Sequence, residues 1–357
     1  MKKAGSKKLW LLVSAVLLVI CGAFLLSFRH VSRLLDSQRA AERWQGESET
    51  AFAQVTCLAP ADKALTLEDI YTFRGEIIKK LTEASFDVNG GTVLYNDAWS
   101  TVGSVKVSGE RKSGEVQAIA VGGDYFAFHP IRLLSGNYLR PDDLMKDRVL
   151  LDRDTAWLLF GGTELDGMSF QINGQPFVVA GVIEREDDKF SKQAYTGGMG
   201  IYMSYDAYAA LAENAGISCY ELVMAEPVRH FVYNFVSEKF PVRGGEVVDN
   251  TYRYEPERLL PMSVHRASRS MMSGNALYPY WENAARGTED RCASLLLGAV
   301  IAGVLPAALL LFVLIRYAVR GKNKLEDELI PQAKERAEEA IRVRARKRWE
   351  KKHPGMK

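Results

Sequence analysis

Cysteine and histidine are scarce in this chain, whose 357 residues include four cysteines and five histidines. Two cysteines, Cys21 and Cys292, lie in or beside long apolar segments. The other two, Cys57 and Cys219, lie in the large middle part of the chain. They could form one disulfide if that part is outside the cell, or remain two small buried thiols. The sequence leaves both alternatives open, because it does not give the distance between their Cα atoms.

The motifs of common catalytic and cofactor sites are also missing. The sequence has no G-x-x-x-x-G-K-[ST] loop for ATP, no G-x-S-x-G nucleophile elbow, no H-E-x-x-H and no C-x-x-C. An acidic run at residues 184–188 could attract a cation, but it lacks the ligand spacing of a known Ca²⁺ loop and is more simply interpreted as a solvated hairpin loop. We therefore predict no catalytic, cofactor-binding or metal-binding residues and no enzymatic activity.

Charge is unevenly distributed along the chain. Residues 1–8 and 316–357 together hold 18 Lys and Arg against 7 Asp and Glu, whereas residues 9–315 hold 28 basic against 37 acidic residues. Basic ends around an acidic middle are typical of a membrane protein with both ends in the cytosol. A nucleic-acid-binding protein would carry basic charge on its folded domain, so we predict no nucleic-acid partner.

Two long segments contain no charged residue. Residues 9–28 would span about 30 Å as a helix, which is the hydrocarbon thickness of a bilayer, and residues 293–315 are slightly longer. No small-x-small cleavage site follows the first segment, so we expect an uncleaved anchor. Four basic residues follow the second segment closely and two precede it, which predicts a cytosolic C-terminus. With two spans the N-terminus is then also cytosolic, and the middle is outside.

These observations predict the domain organisation. It comprises a cytosolic basic head (residues 1–8), a first transmembrane helix (9–28), a stalk that continues this helix (29–50), an extracytoplasmic core domain (51–250), a connector and second stalk (251–292), a second transmembrane helix (293–315) and a cytosolic charged tail (316–357).

The most readable part of the core domain is residues 149–184. A short apolar strand is followed by Asp152, a good helix N-cap, then by helix formers that end at Gly161. A hairpin follows, with Asn173-Gly174 as its two-residue turn. The sequence predicts a strand, a helix and a hairpin in succession.

The rest of the core domain alternates short strands and helices. We predict strands at residues 51–59, 93–95, 104–107, 116–121, 199–203, 219–224 and 246–248. A helix should begin at a capping box at Thr66 and bury Leu67, Ile70, Ile77, Ile78 and Leu81, and shorter helices should occupy residues 205–212 and 228–240, the latter with Phe231, Phe235 and Val236 inside. The predicted fold class is α+β, a mixed and mostly antiparallel domain with two lobes, flanked by two transmembrane helices.

Four short motifs occur in a characteristic order: Gly123-Asp124-Tyr125-Phe126, Leu133-Leu134-Ser135-Gly136, Leu158-Leu159-Phe160-Gly161 and Val179-Ala180-Gly181-Val182. In this order the chain, over residues 54–247, resembles the extracytoplasmic core domain of MacB-type ABC transporter permeases in the MacB/FtsX superfamily. The resemblance implies a bacterial plasma membrane protein that works with a separate cytosolic ATPase, for export or for mechanical transmission. Family permeases normally carry two more membrane helices where this chain has a polar tail.

That departure suggests a further membrane subunit or a homo-oligomer, with the small residues Ala299, Gly303 and Ala307 as a candidate contact. An alternative hypothesis is a two-span sensor, adhesion or scaffolding protein with an external ligand-binding domain. Residues 251–275 are basic and irregular, and we interpret them as a connector beside lipid headgroups rather than a surface for an anionic partner. The tail is a solvated helix in the simplest interpretation, although its basic end could also contact lipid.

Overall fold

The computed structural model describes residues 2–87, 93–195, 198–212, 215–264, 278–325 and 330–352. The chain divides into two compact units, residues 26–297 and residues 1–25 with 298–357. We call the first unit the core domain and describe each unit by itself.

One sheet of ten strands forms the frame of the core domain. Its strands are β1 (Phe52–Leu58), β2 (Tyr95–Ser108), β3 (Ser113–Gly123), β4 (Arg132–Gly136), β5 (Arg148–Asp152), β6 (Ser169–Ile172), β7 (Gln175–Glu184), β8 (Gly200–Ser204), β9 (Cys219–Ala225) and β10 (Glu246–Asp249). They lie in the order β10-β1-β9-β2-β3-β8-β5-β7-β4, and β6 pairs with β2 and β7. Only the β3–β8 and β5–β7 pairs are parallel in the described part of the chain. The prediction of a mostly antiparallel α+β fold is confirmed, and the strands that we expected in two lobes share one continuous sheet.

Helices connect and flank these strands. They are α1 (Lys2–Val31), α2 (Ala40–Gln45), α3 (Leu67–Glu83), α4 (Tyr125–Phe128), α5 (Arg153–Leu159), α6 (Lys189–Ala194), α7 (Tyr205–Leu211), α8 (Phe231–Lys239), α9 (Pro256–Val264), α10 (Tyr280–Lys324) and α11 (Ile330–Lys352). A 3₁₀ turn at Asp36–Arg39 precedes α2.

Local sequence determines the segment from β5 to β7, as expected. The Asp152 side chain accepts the Thr155 N–H at the start of α5. Gly161 has φ +84°, and the hairpin residues Asn173 and Gly174 have φ +49° and +81°, the left-handed values that a type I′ turn requires.

Helix α3 begins at the predicted capping box, in which Thr66 and Asp69 bond each other's backbone N–H groups. Its buried face differs from the prediction. Phe73 is buried, whereas Ile78 is 45% exposed. The reason is that the helical period places Phe73 on the same face as Ile70 and Ile77 and leaves position 78 at the edge of that face. The inner face of α8 is confirmed at Phe235 and Val236, and Phe231 is only partly buried.

Three other elements differ from their predicted bounds. The strands expected at residues 93–95 and 104–107 are one long strand, β2, whose buried polar residues interrupt the apolar pattern without ending the ladder. The first helix ends at Val31 instead of continuing as a stalk, because Leu35 and Gln38 beyond it are buried in the core domain. The segment predicted to be irregular contains α9, and its residues 265–277 lie outside the described part of the chain.

The second unit, residues 1–25 and 298–357, contains most of α1, the later part of α10 and all of α11. Two helices, Leu9–Val31 and Tyr280–Lys322, are long and apolar enough to cross a membrane. A Cβ atom on Gly303 would lie 3.7 Å from Cys21 Sγ, and one on Gly298 would lie 3.0 Å from the Phe24 ring. Gly303 of the predicted stripe therefore lies against the chain's own first helix, whereas Ala307 is exposed. The interpretation of the stripe as a contact with another subunit stays a prediction.

Cys57 and Cys219 are free and completely buried. They lie on the paired strands β1 and β9, where Cys57 is opposite Tyr220 and Cys219 is opposite Leu58. Directly opposite residues share a face of the sheet and successive residues alternate. The two sulfur atoms therefore project from opposite faces, and of the two alternatives the structure has the buried thiols.

We expect neither thiol to react with iodoacetamide in the folded protein. Burial raises the pKa of both thiols, so they stay protonated at pH values where a free cysteine begins to form the reactive thiolate. Peptide mass spectrometry should find the Cys57 and Cys219 peptides unmodified before denaturation and modified after it, without reductant. A peptide pair linked through these two residues would contradict the structure.

Candidate functional site

Arg253 lies at the centre of a buried group of polar side chains. Its Nη2 and Nη1 atoms donate to the two carboxylate oxygens of Glu282 at 2.7 and 2.8 Å, and its Nε donates to Glu289 at 2.8 Å. Nη1 also donates to Gln38 at 3.0 Å and to Asn250 at 3.2 Å. We call these five residues the Arg253 cluster. Arg253, Glu282 and Glu289 are each at most 1% exposed.

Three distant stretches of the chain supply the cluster. Gln38 comes from the 3₁₀ turn before β1, and Asn250 and Arg253 follow β10, the last strand. Glu282 and Glu289 lie in the first turns of α10, where seven residues place them on one side of the helix. The cluster therefore joins three parts of the chain: the segment before the first strand, the segment after the last strand, and helix α10.

Guanidinium groups inside and beside the cluster match its carboxylates, which is what allows them to be buried. Burial disfavours the charged form of Arg253, but the Glu282 and Glu289 carboxylates outweigh this effect and raise its pKa further above its usual value. Two more guanidinium groups contact the same carboxylates, Arg286 at 2.8 Å from Glu282 and Arg258 at 3.5 Å from Glu289. Loss of Arg253 or of a carboxylate would leave an unmatched buried charge, which costs several kcal/mol.

Aromatic side chains form the second contact with the start of α10. The Tyr280 ring stacks on Tyr195 at 4.2 Å, and its hydroxyl donates to Glu186 at 3.0 Å. The Trp281 ring lies 4.6 Å from His129 and 5.7 Å from Tyr125. We call the surface that holds residues 280–289 the helix seat; its residues are Gln38, Tyr125, His129, Tyr195 and Arg253.

His129 is fixed beneath Trp281 by a buried partner. Its Nε2 lies 2.6 Å from Glu221 Oε2 on β9, and both side chains are at most 2% exposed. The Nδ1 of His129, the other oxygen of Glu221 and the indole N–H of Trp281 have no hydrogen-bond partner among the described residues. Tilted and edge-on ring contacts, rather than hydrogen bonds, therefore hold Trp281 on the helix seat.

The segment between α1 and β1 is fixed by hydrogen bonds from one neutral side chain and one charged side chain. The buried side chain of Gln54, on β1, accepts the Ala40 N–H at 2.9 Å and donates to the Ser37 carbonyl at 2.8 Å. The Arg43 guanidinium donates to the carbonyl oxygens of Ala127 and Phe128 at 2.8 and 3.0 Å. Both ends of the core domain are thus tied to the sheet, although by different interactions.

A cavity of about 810 Å³ opens beside the helix seat. Trp281 and Ala284 form one wall, and residues of both charges line the others, including Arg132 and Lys192. The acidic run also borders this cavity, but it is not the solvated loop that the sequence suggested. Glu184 pairs with Arg153, Glu186 accepts the Tyr195 and Tyr280 hydroxyls, and Asp188 caps α6.

Sequence reasoning assigned no residue to this site. Arg253 was interpreted as part of a connector beside lipid headgroups, and Gln54 and Glu282 carried no motif. One pattern was available: Glu282, Arg286 and Glu289 recur at i, i+4 and i+7 on a helix that adjoins an apolar segment. A charged stripe at that position indicates a buried polar partner, but the sequence does not identify Arg253 as that partner.

Replacement of Arg253 by methionine should destabilise the core domain by about 3–5 kcal/mol, because Glu282 and Glu289 would remain buried without their central cation. Chemical denaturation of the purified protein measures this change. The matched control is Arg243→Met, an exposed position that should shift stability by less than about 0.5 kcal/mol. Equal stabilities of the two variants would show that the Arg253 cluster does not hold the helix.

Comparison with known proteins gives a consistent result. The family described as MacB-like periplasmic core domain matches residues 25–229. Similar solved structures include the extracellular domain of the noncanonic ABC-type transporter YknZ from Gram-positive bacteria, at 16% identity and a TM-score of 0.39, covering 56% of this chain and 100% of that one. Another is the periplasmic region of MacB from Actinobacillus actinomycetemcomitans, at 14% identity and a TM-score of 0.39, covering 61% of this chain and 94% of that one. No curated protein sequence matches the chain.

The family match covers more than half of the chain and includes β1 to β9 of the sheet. It confirms the resemblance carried by the four short motifs. The chain belongs to the family of proteins with a MacB-like periplasmic core domain.

Proposed function

We propose that this chain is the membrane subunit of an ABC-type system of the MacB/FtsX kind, which couples a separate cytosolic ATPase to movement of the extracytoplasmic core domain. The movement would serve export or mechanical transmission. Family membership and the two helices long enough to cross a membrane support this proposal.

The helix seat is the observation that carries the proposal. Helix α10 continues without a break from Tyr280 to Lys324, and its first turns are held by buried ion pairs and stacked rings. A hinge between the seat and residues 280–289 would separate buried charges, which is costly. Displacement of residues 280–289 would therefore be transmitted to the core domain as rigid-body motion rather than absorbed at the helix seat.

The arrangement in the membrane is part of the proposal. Both termini are cytosolic and residues 51–250 of the core domain are outside, with residues 9–28 and 293–315 in the bilayer, residues 29–50 and 251–292 as connections and residues 316–357 as the cytosolic tail. The partners are the bilayer, an ABC ATPase, and a further membrane subunit or a second copy of the chain. Neither nucleic acid nor a cofactor takes part, and the chain itself catalyses no reaction.

The cavity of about 810 Å³ favours a second candidate function, that of a sensor with an external ligand-binding domain. Its walls include Trp281 and Ala284 of α10, so an occupant would contact the helix directly. An adhesion or scaffolding role would not require this cavity. The two candidates differ in their cytosolic partner, because only the first requires an ATPase.

Purification of the tagged chain from native membranes in mild detergent should recover an ATP-binding-cassette subunit in a fixed ratio. A tagged two-span protein from the same membranes, unrelated in sequence, is the control for non-specific recovery. Adding ATP analogues should change the amount of ATPase subunit recovered with the tagged chain and should have no effect on what is recovered with the control protein. Recovery of the chain with no ATPase would contradict the proposed function and favour the sensor.

Protease added to intact spheroplasts should cleave the core domain and leave epitope tags at both ends intact. The reason is that positively charged flanks are retained in the cytosol, and residues 316–324 carry four basic residues. Detergent-permeabilised spheroplasts are the control, in which the tags should also be lost. Loss of either tag from intact spheroplasts would reverse the assigned orientation.

A further inference from the structure

A pocket of about 230 Å³ lies in the core domain between α3, the end of β3 and the loop before β5. Tyr71 and Arg74 of α3 and Trp99 of β2 line one side, and Phe126 and Leu139 line another. We call it the Trp99 pocket. A neighbouring cavity of about 430 Å³ shares Phe126, Leu139 and three other residues with it, so the two form adjacent compartments.

The wall of the Trp99 pocket is fixed before any ligand arrives. The Arg74 guanidinium lies 5.4 Å from the Tyr71 ring centroid and 5.3 Å from that of Trp99. It donates two hydrogen bonds, of 2.9 and 2.7 Å, to the buried carboxylate of Asp97, which also accepts the Tyr220 hydroxyl at 3.1 Å. The bonds with Asp97 raise the pKa of Arg74, so its charge and position are constant.

Two glycines leave room for this arrangement. A Cβ atom on Gly122 would lie 2.3 Å from the Trp99 indole nitrogen, and one on Gly123 would lie 2.4 Å from the Asp97 carbonyl oxygen. The indole N–H of Trp99 has no partner among the described residues, although the residue is only 8% exposed. An unbonded buried donor costs about 1–3 kcal/mol.

The rim of the Trp99 pocket is basic and partly apolar. Its cations are Arg74, Arg140, Lys146 and Arg148, against the carboxylates Asp143 and Asp206. Asp97 neutralises Arg74, and Arg140 lies 3.5 Å from Asp142. Arg148 is exposed and its side chain has no carboxylate partner in the described residues. On the same loop Leu144 is 95% and Met145 64% exposed.

We propose that the Trp99 pocket binds a ligand in which a flat apolar group is joined to a carboxylate. The flat group would lie against the rings of Trp99, Tyr71 and Phe126. The carboxylate would pair with Arg148 and Lys146 at the rim. The volume accommodates one side-chain-sized group rather than a larger molecule. The same chemistry occurs in a free aromatic acid and at the C-terminus of a peptide that ends in an aromatic residue.

A ligand in the Trp99 pocket would affect the helix seat through the ring of Tyr125. Tyr125 lines the Trp99 pocket and also lies 5.7 Å from the Trp281 ring and 4.4 Å from His129. A ligand that packs against Tyr125 would therefore add to the ring contacts that hold residues 280–289. This effect rests on the proposed function, whereas binding to the pocket does not.

Calorimetric titration of the full-length chain with 3-phenylpropionate tests the proposal, and no ATPase is needed. Saturable binding is expected, with the neutral 3-phenylpropanamide binding about tenfold more weakly. The variant Lys146→Gln/Arg148→Gln should bind the acid about tenfold more weakly than the wild type, and the amide equally. Tyr71→Ala, at a half-exposed ring, should weaken both compounds.

The matched control is Lys79→Gln/Lys112→Gln, two exposed positions outside the pocket, which should bind like the wild type. The tripeptide Ala-Ala-Phe with a free carboxylate separates the two sources: tighter binding than 3-phenylpropionate indicates a chain terminus, and weaker binding indicates a free acid. Lack of saturable binding, or equal binding of the acid to the wild type and the rim variant, would overturn the proposal. Hydrogen exchange of the backbone amides of residues 280–289 measures the effect on the helix seat, and it should become slower when the ligand binds. Binding without this change would contradict the effect on the helix seat but not the binding site.

Discussion

A guanidinium group that is almost completely buried must meet its counter-charges inside the protein, because water cannot reach it. Arg253 meets this requirement only when Gln38, Asn250 and the first turns of α10 are in place together. A partly opened cluster is costly because it leaves buried charges unmatched. Its members are therefore expected to form and separate together, which couples the start and the end of the core domain to helix α10.

Other buried polar side chains follow the same logic on the sheet itself. Gln54 on β1 bonds the segment before it, Asp97 on β2 holds Arg74 of α3, and Glu221 on β9 holds His129 beneath Trp281. These three strands are neighbours in the sheet. Each of these side chains makes a directional hydrogen bond at a buried position. The bonds therefore fix where the flanking segments lie on the sheet.

The sequence predicts the parts of this fold that depend on neighbours in the chain. The capping box at Thr66, the Asp152 cap and the Asn173-Gly174 turn act over a few residues, and all are where they were expected. Features that depend on distant partners were missed. Buried polar residues such as Asp97 made β2 resemble two short strands, and no local pattern connects Arg253 with Glu282, 29 residues away. The family motifs identified the core domain, but they lie outside the Arg253 cluster.

The two connections of the core domain to the apolar helices are held by different kinds of interaction, and this difference bears on mechanism. The segment after α1 leaves its helix at Val31 and is held mainly by neutral hydrogen bonds from Gln54 and by Arg43 on backbone carbonyls. A neutral bond of this kind contributes on the order of 1 kcal/mol, and one from a charged donor about 1.5–3 kcal/mol. Helix α10 instead enters through a buried ion-pair cluster whose disruption costs about 3–5 kcal/mol. Gln38 of the first connection also bonds Arg253, so release of either connection disturbs this cluster, to which α10 contributes the buried carboxylates. Under the proposed function, α10 would be the element through which displacement reaches the core domain, and Tyr125 contacts its Trp281 and also lines the Trp99 pocket.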